Sequence, residues 1–382
     1  MRAWLLLLVS ALLTTLLPAA QPKVVILSFD GLAARAFNAR TMPRMWKLSH
    51  EAWVGEGVPP FPSTTFNGHA TLATGCWPEH HGIVANSYVD PQEGFVGYTA
   101  VAEELEREPL WIAAARSGVK AAVYHWPCAT GPWRGESPWR LARFQEGTSD
   151  AEALAFCDSA LKDGAGLVMA YLSGMDEEAH HHGPDSPQVR RKLRATDALL
   201  APWIRKVRAA DPEVRILLCA DHGFARVPRW ISLPEVLKGL DTRIVAHGGS
   251  AYVYLHHPED AADALARLRR AGLQAWRRQD LPARFHLAGN PRVGDLVVSA
   301  PLGTWLSEAR TPKELAHERE GRVGCHAFDP ADRAMHTWLV VFGRGSGSLG
   351  AVPLWDLAPT VGRLLGLTWD QAPDGRDLPF LR

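Results

Sequence analysis

The sequence predicts an α/β fold with a mostly parallel central sheet flanked by helices. Three observations carry this reading. Short apolar runs rich in Val, Ile and Leu recur at residues 23–29, 166–173 and 214–220, without the polar alternation of a half-buried strand. Helical patterns separate these runs, and strand–helix alternation argues for parallel strands joined by crossovers. Each run is followed closely by an aspartate, in turn Asp30, Asp176 and Asp221. In sheets of this kind, functional groups collect at the carboxyl ends of the strands.

The elements follow in order. Residues 1–20 have the form of a signal peptide, with Arg2 at the start, an apolar run over residues 4–17, and Ala19–Ala20 for cleavage. That run is shorter than the ~20 residues a spanning helix needs, so cleavage and export are expected. No later stretch is long and apolar enough to span a membrane. The mature chain, 21–382, then reads as one catalytic domain. Residues 23–29 form the first strand. A helix is expected from Thr65 to Thr74, stopped by Gly75. Residues 101–117 look helical and 120–126 extended. A loop rich in Pro, Gly and Trp at 129–139 could border a site. Residues 150–162 read as a helix, 166–173 as a strand.

Ser186 caps a long helix with Pro187 at its first position. Val189, Leu193, Thr196, Leu200, Trp203 and Val207 give that helix one mostly apolar face. Residues 214–220 are the next buried strand. From about 228 to 322 the character changes, and a small α/β insertion is expected, with strands at 251–255 and 296–299 and a helix at 260–271. The main sheet resumes at 337–342, and 354–365 is a closing helix.

Lys and Arg total 41 and so do Asp and Glu, giving zero formal net charge. This balance speaks against a nucleic-acid scaffold partner. The 16 histidines are the unusual count. The five cysteines are odd in number and lack zinc-finger spacing. Export permits a disulfide but does not require one in a chain this large.

Thr65 is the candidate nucleophile. A hydroxyl at a helix start faces free N–H groups and the positive end of the dipole, which favours an alkoxide and a phosphate. The helix end alone cannot deprotonate threonine at neutral pH, so a base or a metal is needed. Asp176 and His180 are four residues apart, on one side of a helical turn. Asp221–His222 directly follows a strand, and His326 precedes the last one. A lone Asp after a strand usually caps a turn, and a lone His is usually structural. Together, however, carboxylates and imidazoles at converging strand ends form the ligand set of catalytic zinc. Two such ions can clamp the attacking and leaving oxygens of a phosphoryl transfer.

At this point the chain resembles the nucleotide pyrophosphatase/phosphodiesterase family of the alkaline phosphatase superfamily. The resemblance rests on SFDG at 28–31, FPSTTF at 61–66, TGCWPEHHGIVAN at 74–86 and HWP at 125–127. It continues through DEEAHHHGP at 176–184, ADHG at 220–223, GCHAFD at 324–329, DLAPTVGRLLGL at 356–367 and PDGRDL at 373–378. It implies an alkaline phosphatase-like fold and two zinc ions per chain. One zinc would be held by Asp176, His180 and His326, the other by Asp30, Asp221, His222 and the Thr65 oxygen. Asn86 would donate to a phosphate oxygen, and Phe66, Phe144 and Tyr171 would line the substrate pocket. Two departures stand out. The family's Thr-Phe-Pro-Asn-His becomes Thr65-Phe66-Asn67-Gly68-His69, which removes a proline from the helix start. Cys128 stands where the family often has Gly after Trp-Pro, and would put a thiol near the pocket rim.

The resemblance implies hydrolysis of phosphodiester or phosphoanhydride bonds through a phosphothreonine. Small phosphodiesters, such as nucleotides or lipid-head-group diesters, are the expected partners. A phosphomonoesterase would use the same metals. A sulfatase would need Cys or Ser followed by x-Pro-x-Arg, and the stretch from Cys76 to His80 lacks the Arg. A catalytically silent exported binding protein on the same fold is the alternative from another class.

Overall fold

The computed structural model describes residues 22–378, so the expected signal peptide lies outside the described residues. Eight strands form the main sheet: β1 (Val24–Phe29), β2 (Trp53–Val58), β3 (Ala121–Tyr124), β4 (Arg140–Ala142), β5 (Leu167–Leu172), β6 (Arg215–Cys219), β7 (Thr337–Phe342) and β8 (Gly347–Pro353). From edge to edge they run β8-β2-β7-β6-β1-β5-β3-β4. All pair in parallel except β7, which is antiparallel to both neighbours. The long runs make the centre, with β1 between β5 and β6, Leu27 opposite Ala170 on one side and Leu218 on the other.

Both faces of the sheet are covered, which is why these strands carry no polar alternation. Val25, Leu27 and Phe29 pack in a core with α2 (Asp150–Lys162) and α4 (Pro187–Ala210). Val24 and Ile26 point the other way, into a core with α1 (Thr65–Thr74) and α5 (Leu357–Leu365). Ser186 caps α4 by accepting from the Val189 N–H, and the six residues read as its apolar face are all buried. A short helix, α3 (Gly174–His182), follows β5 directly. No helix of the described residues is long and apolar enough to cross a membrane.

Residues 228–322 carry their own four-stranded antiparallel sheet, with the helix Ala261–Arg270 packed on it through Leu265 and Leu268. One expectation needs correction. Residues 101–117 are not one helix: Ala102–Glu104 is a single 3-10 turn and the helix runs only Leu110–Arg116. Pro109 lies between them and lacks the N–H that would continue a helix across it. The main sheet does resume at Thr337–Phe342, and two strands not read from the sequence, β2 and β8, extend it beyond β7. All five cysteines are free and buried.

Candidate active site

The site forms where β1, β5 and β6 end and the start of α1 meets them. Asp30 follows β1, Asp221 and His222 follow β6, and Asp176 and His180 lie on α3 just after β5. His326 comes from the loop ahead of β7, beyond the short strand Gly324–Cys325. Thr65 is the first residue of α1, and its Oγ1 is 3.3 Å from His222 Nε2. Gly75 ends α1 in the left-handed conformation, as its position suggests.

The imidazoles share one arrangement. Nδ1 of His222 donates to the Gly223 carbonyl at 3.1 Å, Nδ1 of His180 to Gly324 at 3.0 Å, and Nδ1 of His326 to Ser63 at 3.1 Å. This fixes the tautomer and leaves each Nε2 lone pair facing the carboxylates. His222 Nε2 lies 3.4 Å from Asp30 Oδ1, 3.3 Å from Asp221 Oδ2 and 4.0 Å from Asp176 Oδ1. Nε2 of His326 is 3.8 Å from Asp176 Oδ1, and that of His180 is 3.4 Å from Asp176 Oδ2. Burial holds all three imidazoles neutral, with His222 pushed down to about 3 and His180 to about 4.

The carboxylates show the opposite stress. Burial first, then mutual repulsion, raises Asp30, Asp176 and Asp221 well above the usual range. One oxygen of Asp30 accepts from the Tyr171 hydroxyl, and one of Asp221 from the Gly31 N–H at 3.1 Å. The buried oxygens Asp30 Oδ1, Asp176 Oδ1 and Asp221 Oδ2 have no hydrogen-bond donor. Donor-less oxygens facing neutral imidazole lone pairs form a donor set that fits bound metal. Two groups have ligand atoms within 4.8 Å of one another: Asp30, Asp221 and His222, and Asp176, His222 and His326. The first is the triplet expected from the sequence. In the second, His222 takes the place expected for His180. The reason is the orientation of Asp176, whose Oδ1 faces His222 and His326 while Oδ2 faces His180.

Asn86 sits beside the start of α1, and its Oδ1 accepts from the Phe66 N–H at 2.8 Å. The missing proline is replaced by a side-chain tie, since Asn67 Nδ2 donates to the Pro62 carbonyl at 2.9 Å. Phe66 meets Tyr98 edge-on, with ring centroids 5.7 Å apart. Phe144 is half exposed and packs against His125 and Tyr171. Tyr171 is buried with its hydroxyl committed to Asp30, so its polar atom supports a carboxylate. Cys128 is not at a rim: its thiol is fully buried. Its φ of 58° explains why glycine suits that position.

Sequence reasoning missed three neighbours. His69 bridges Ser28 Oγ at 2.9 Å and the Thr65 carbonyl at 2.8 Å, fastening α1 to β1. The signal for it was the i, i+4 spacing from Thr65. Tyr98, two-thirds exposed, gave no periodic signal. Arg322 lines a cavity shared with Asn86, His180 and His326, although it lies far from any of the motifs around Thr65.

Comparison with known proteins agrees with this geometry. The family model described as type I phosphodiesterase / nucleotide pyrophosphatase matches residues 24–329. An uncharacterized pyrophosphatase/phosphodiesterase of Schizosaccharomyces pombe is 28% identical over 352 residues, covering 85% of this chain and 71% of that protein. A bis(5'-adenosyl)-triphosphatase of Xenopus laevis is 23% identical, covering 91% and 78%. Among solved structures, murine ectonucleotide pyrophosphatase/phosphodiesterase 5 superposes with a TM-score of 0.82 at 24% identity, covering 92% of this chain and 97% of that one. An inactive variant of the same murine protein in complex with AMP superposes with a TM-score of 0.83 at 23% identity, covering 94% and 98%.

Proposed function

This chain belongs to the type I phosphodiesterase / nucleotide pyrophosphatase family, and from that premise we propose that it is an exported, zinc-dependent hydrolase of phosphodiester or phosphoanhydride bonds that works through a phosphothreonine on Thr65. The observation that carries the proposal is the set of donor-less oxygens on Asp30, Asp176 and Asp221, set among three neutral imidazoles directly below a threonine at a helix start. Two zinc ions would be held by Asp30, Asp221 and His222 and by Asp176, His180 and His326. Bound there, such ions lower the pKa of a hydroxyl and offset charge on a phosphate.

The chain's own groups do the rest. The start of α1 directs N–H groups and its positive end at the phosphate. Thr65 Oγ1 gives up its proton to solvent and attacks phosphorus, the new O–P bond forms, and the opposite P–O bond breaks with its electron pair leaving on the departing oxygen, which takes up a proton from water. Water then cleaves the phosphothreonine from the side the leaving group vacated. The Phe66 N–H holds the Asn86 carbonyl and thereby turns its amide toward a non-bridging oxygen, an oxyanion-hole role. Phe66 and Tyr98 offer an aromatic corner to a base or another flat group. A nucleotide substrate is supported by the names of the relatives, one a bis(5'-adenosyl)-triphosphatase, and by AMP in the murine structure. Export rests on the composition of residues 1–20.

The test is hydrolysis of p-nitrophenyl thymidine phosphate by zinc-loaded protein. Activity should disappear on thorough chelation and return with added zinc. Full activity after metal removal would refute the proposal.

A further inference from the structure

The sheet of the insertion packs against the segment that carries Asn86. Tyr252 and Tyr254 are two residues apart on the strand Ser250–Leu255, so both rings leave one face of it. Tyr252 is fully buried, and its hydroxyl donates to the Val84 carbonyl at 2.8 Å. The Tyr254 hydroxyl accepts from the Val89 N–H at 3.0 Å and donates to the Arg292 carbonyl at 2.7 Å. Val84 lies two residues before Asn86 and Val89 three residues after it, so the two phenols bracket the amide along the chain.

Arg292 closes the same frame from outside. Its Nη1 donates to the Gly82 carbonyl at 3.1 Å, and its Nε donates to Asp90 Oδ2 at 2.8 Å. Between these ties, Val84, Ala85 and Tyr88 share one apolar cluster with Tyr252 and Phe285 of the insertion. Asn86 therefore hangs between two bodies. Its side chain is tied to α1 through the Phe66 N–H, while the backbone on either side of it is tied to the insertion. Such fixing matters for a neutral donor. A charge acts at a distance in any direction, whereas an amide N–H binds only when it is aimed, because the bond weakens steeply away from linearity.

We propose that Tyr252 and Tyr254 are positioning residues for the reaction, through which the insertion holds the Asn86 amide where charge develops on a non-bridging oxygen. The inference rests on the reaction and on the role of Asn86 proposed above. It makes the insertion a working part of the site, although both hydroxyls are bonded to backbone and act only through Asn86. Without them the segment from Val84 to Val89 can shift, and the amide loses its aim at the oxygen on which charge grows. Substrate binding and the metal-ligand residues are left as they were, so the loss falls on kcat and not on KM.

The test is a double-mutant cycle on zinc-loaded protein with p-nitrophenyl thymidine phosphate, combining Tyr252→Phe and Tyr254→Phe with Asn86→Ala. Each Tyr→Phe change keeps the ring in the apolar cluster and removes one oxygen. In the wild-type background the pair should lower kcat by at least about fivefold and change KM by less than about twofold. In the Asn86→Ala background the same pair should change kcat by less than about twofold, because the amide it aims is gone. Each single Tyr→Phe change should give a smaller loss that also vanishes with Asn86→Ala, which keeps the test open if the paired variant does not fold. Equal losses in both backgrounds would show that the hydroxyls only support the fold and would overturn the proposal. Unchanged kcat in the wild-type background, or wild-type rates in Asn86→Ala, would overturn it as well. All three results leave the phosphodiesterase reading intact as long as the wild type hydrolyses the diester with zinc. A wild type inert on the diester would instead remove that reading, and the positioning with it.

Discussion

At Thr65, position and activation have separate sources. The helix start and the His69 tie fix where the hydroxyl stands, whereas under the proposed reaction metal held by the neighbouring carboxylates and imidazoles would let it ionise. Thr65→Ala should therefore cut turnover by at least about a thousandfold. It should change stability by no more than about 2 kcal/mol, with metal binding retained. Thr65→Ser, which keeps the oxygen, should retain measurable turnover, and mass spectrometry of acid-quenched protein should place phosphate on residue 65. Wild-type rates in Thr65→Ala would contradict the assignment. The same cluster makes a proton prediction. Asp30, Asp176 and Asp221 are raised by burial and repulsion, so without metal they retain protons well above the usual carboxylate range. The neutral histidines have none to give. Zinc uptake at a pH just above the usual carboxylate range should thus release protons, measurable by calorimetry in buffers of different ionisation enthalpy. The stability signs also differ. Raised carboxylates favour the metal-free fold below their unfolded pKa and lose that contribution as pH rises through the folded value. Depressed histidines favour it above their unfolded pKa of about 6.5 and lose that contribution as pH falls through about 3–4. Zinc removes the carboxylate loss, so its stabilising effect should grow with pH. Uptake without proton release would contradict the carboxylate assignment.

At the scale of elements, the site depends on how closely α1 approaches the end of β6. Gly68 lies on the turn of α1 that faces Asp221, where a Cβ would stand 2.8 Å from the Asp221 Cβ and carbonyl oxygen. Gly68→Ala should push the helix away, costing about 1–3 kcal/mol of stability and weakening zinc binding at the Asp30, Asp221 and His222 group. Thermal melts and a zinc titration check this, and a variant with wild-type melting and affinity would show that the contact yields. This proximity was not legible in the sequence, because a glycine there reads only as a weak helix residue. The central strands were legible because burial on both faces makes them uninterrupted apolar runs, and α4 because a serine cap, Ser186, precedes a periodic apolar face. Strand β2 was not, since in WVGEGV two glycines and a glutamate hide the pattern. Gly55 is required there by the Gly350 carbonyl, which a Cβ would meet at 2.6 Å. The reversed direction of β7 has no local signature either, because an apolar run carries no sign of its polarity. Among the site residues, the metal-ligand candidates announced themselves by residue type and strand-end position. Tyr98 and Arg322 come from loops whose approach is set by tertiary packing alone.

Across the whole molecule, sheet, insertion flank and α1 converge to present a phosphate site short of positive side chains. Between Lys47 and Arg107 there is no Lys or Arg, and that span holds both Thr65 and Asn86. Arg134, from the loop at 129–139, and Arg140, at the start of β4, are paired with Asp370 at 3.5 Å and Asp163 at 2.7 Å. Arg322 is exposed and lines the cavity that adjoins Asn86. A monoester phosphate is largely dianionic at neutral pH, and enzymes that favour it add positive charge beyond two metals. A diester carries one negative charge and is matched by the neutral amide of Asn86. The most direct measurement is therefore side-by-side kinetics on p-nitrophenyl thymidine phosphate and p-nitrophenyl phosphate with one zinc-loaded preparation. The account predicts that kcat/KM for the diester exceeds that for the monoester by at least about a hundredfold, or roughly 2.7 kcal/mol in transition-state stabilisation. A monoester value equal to or above the diester value would contradict it and make the chain a phosphomonoesterase.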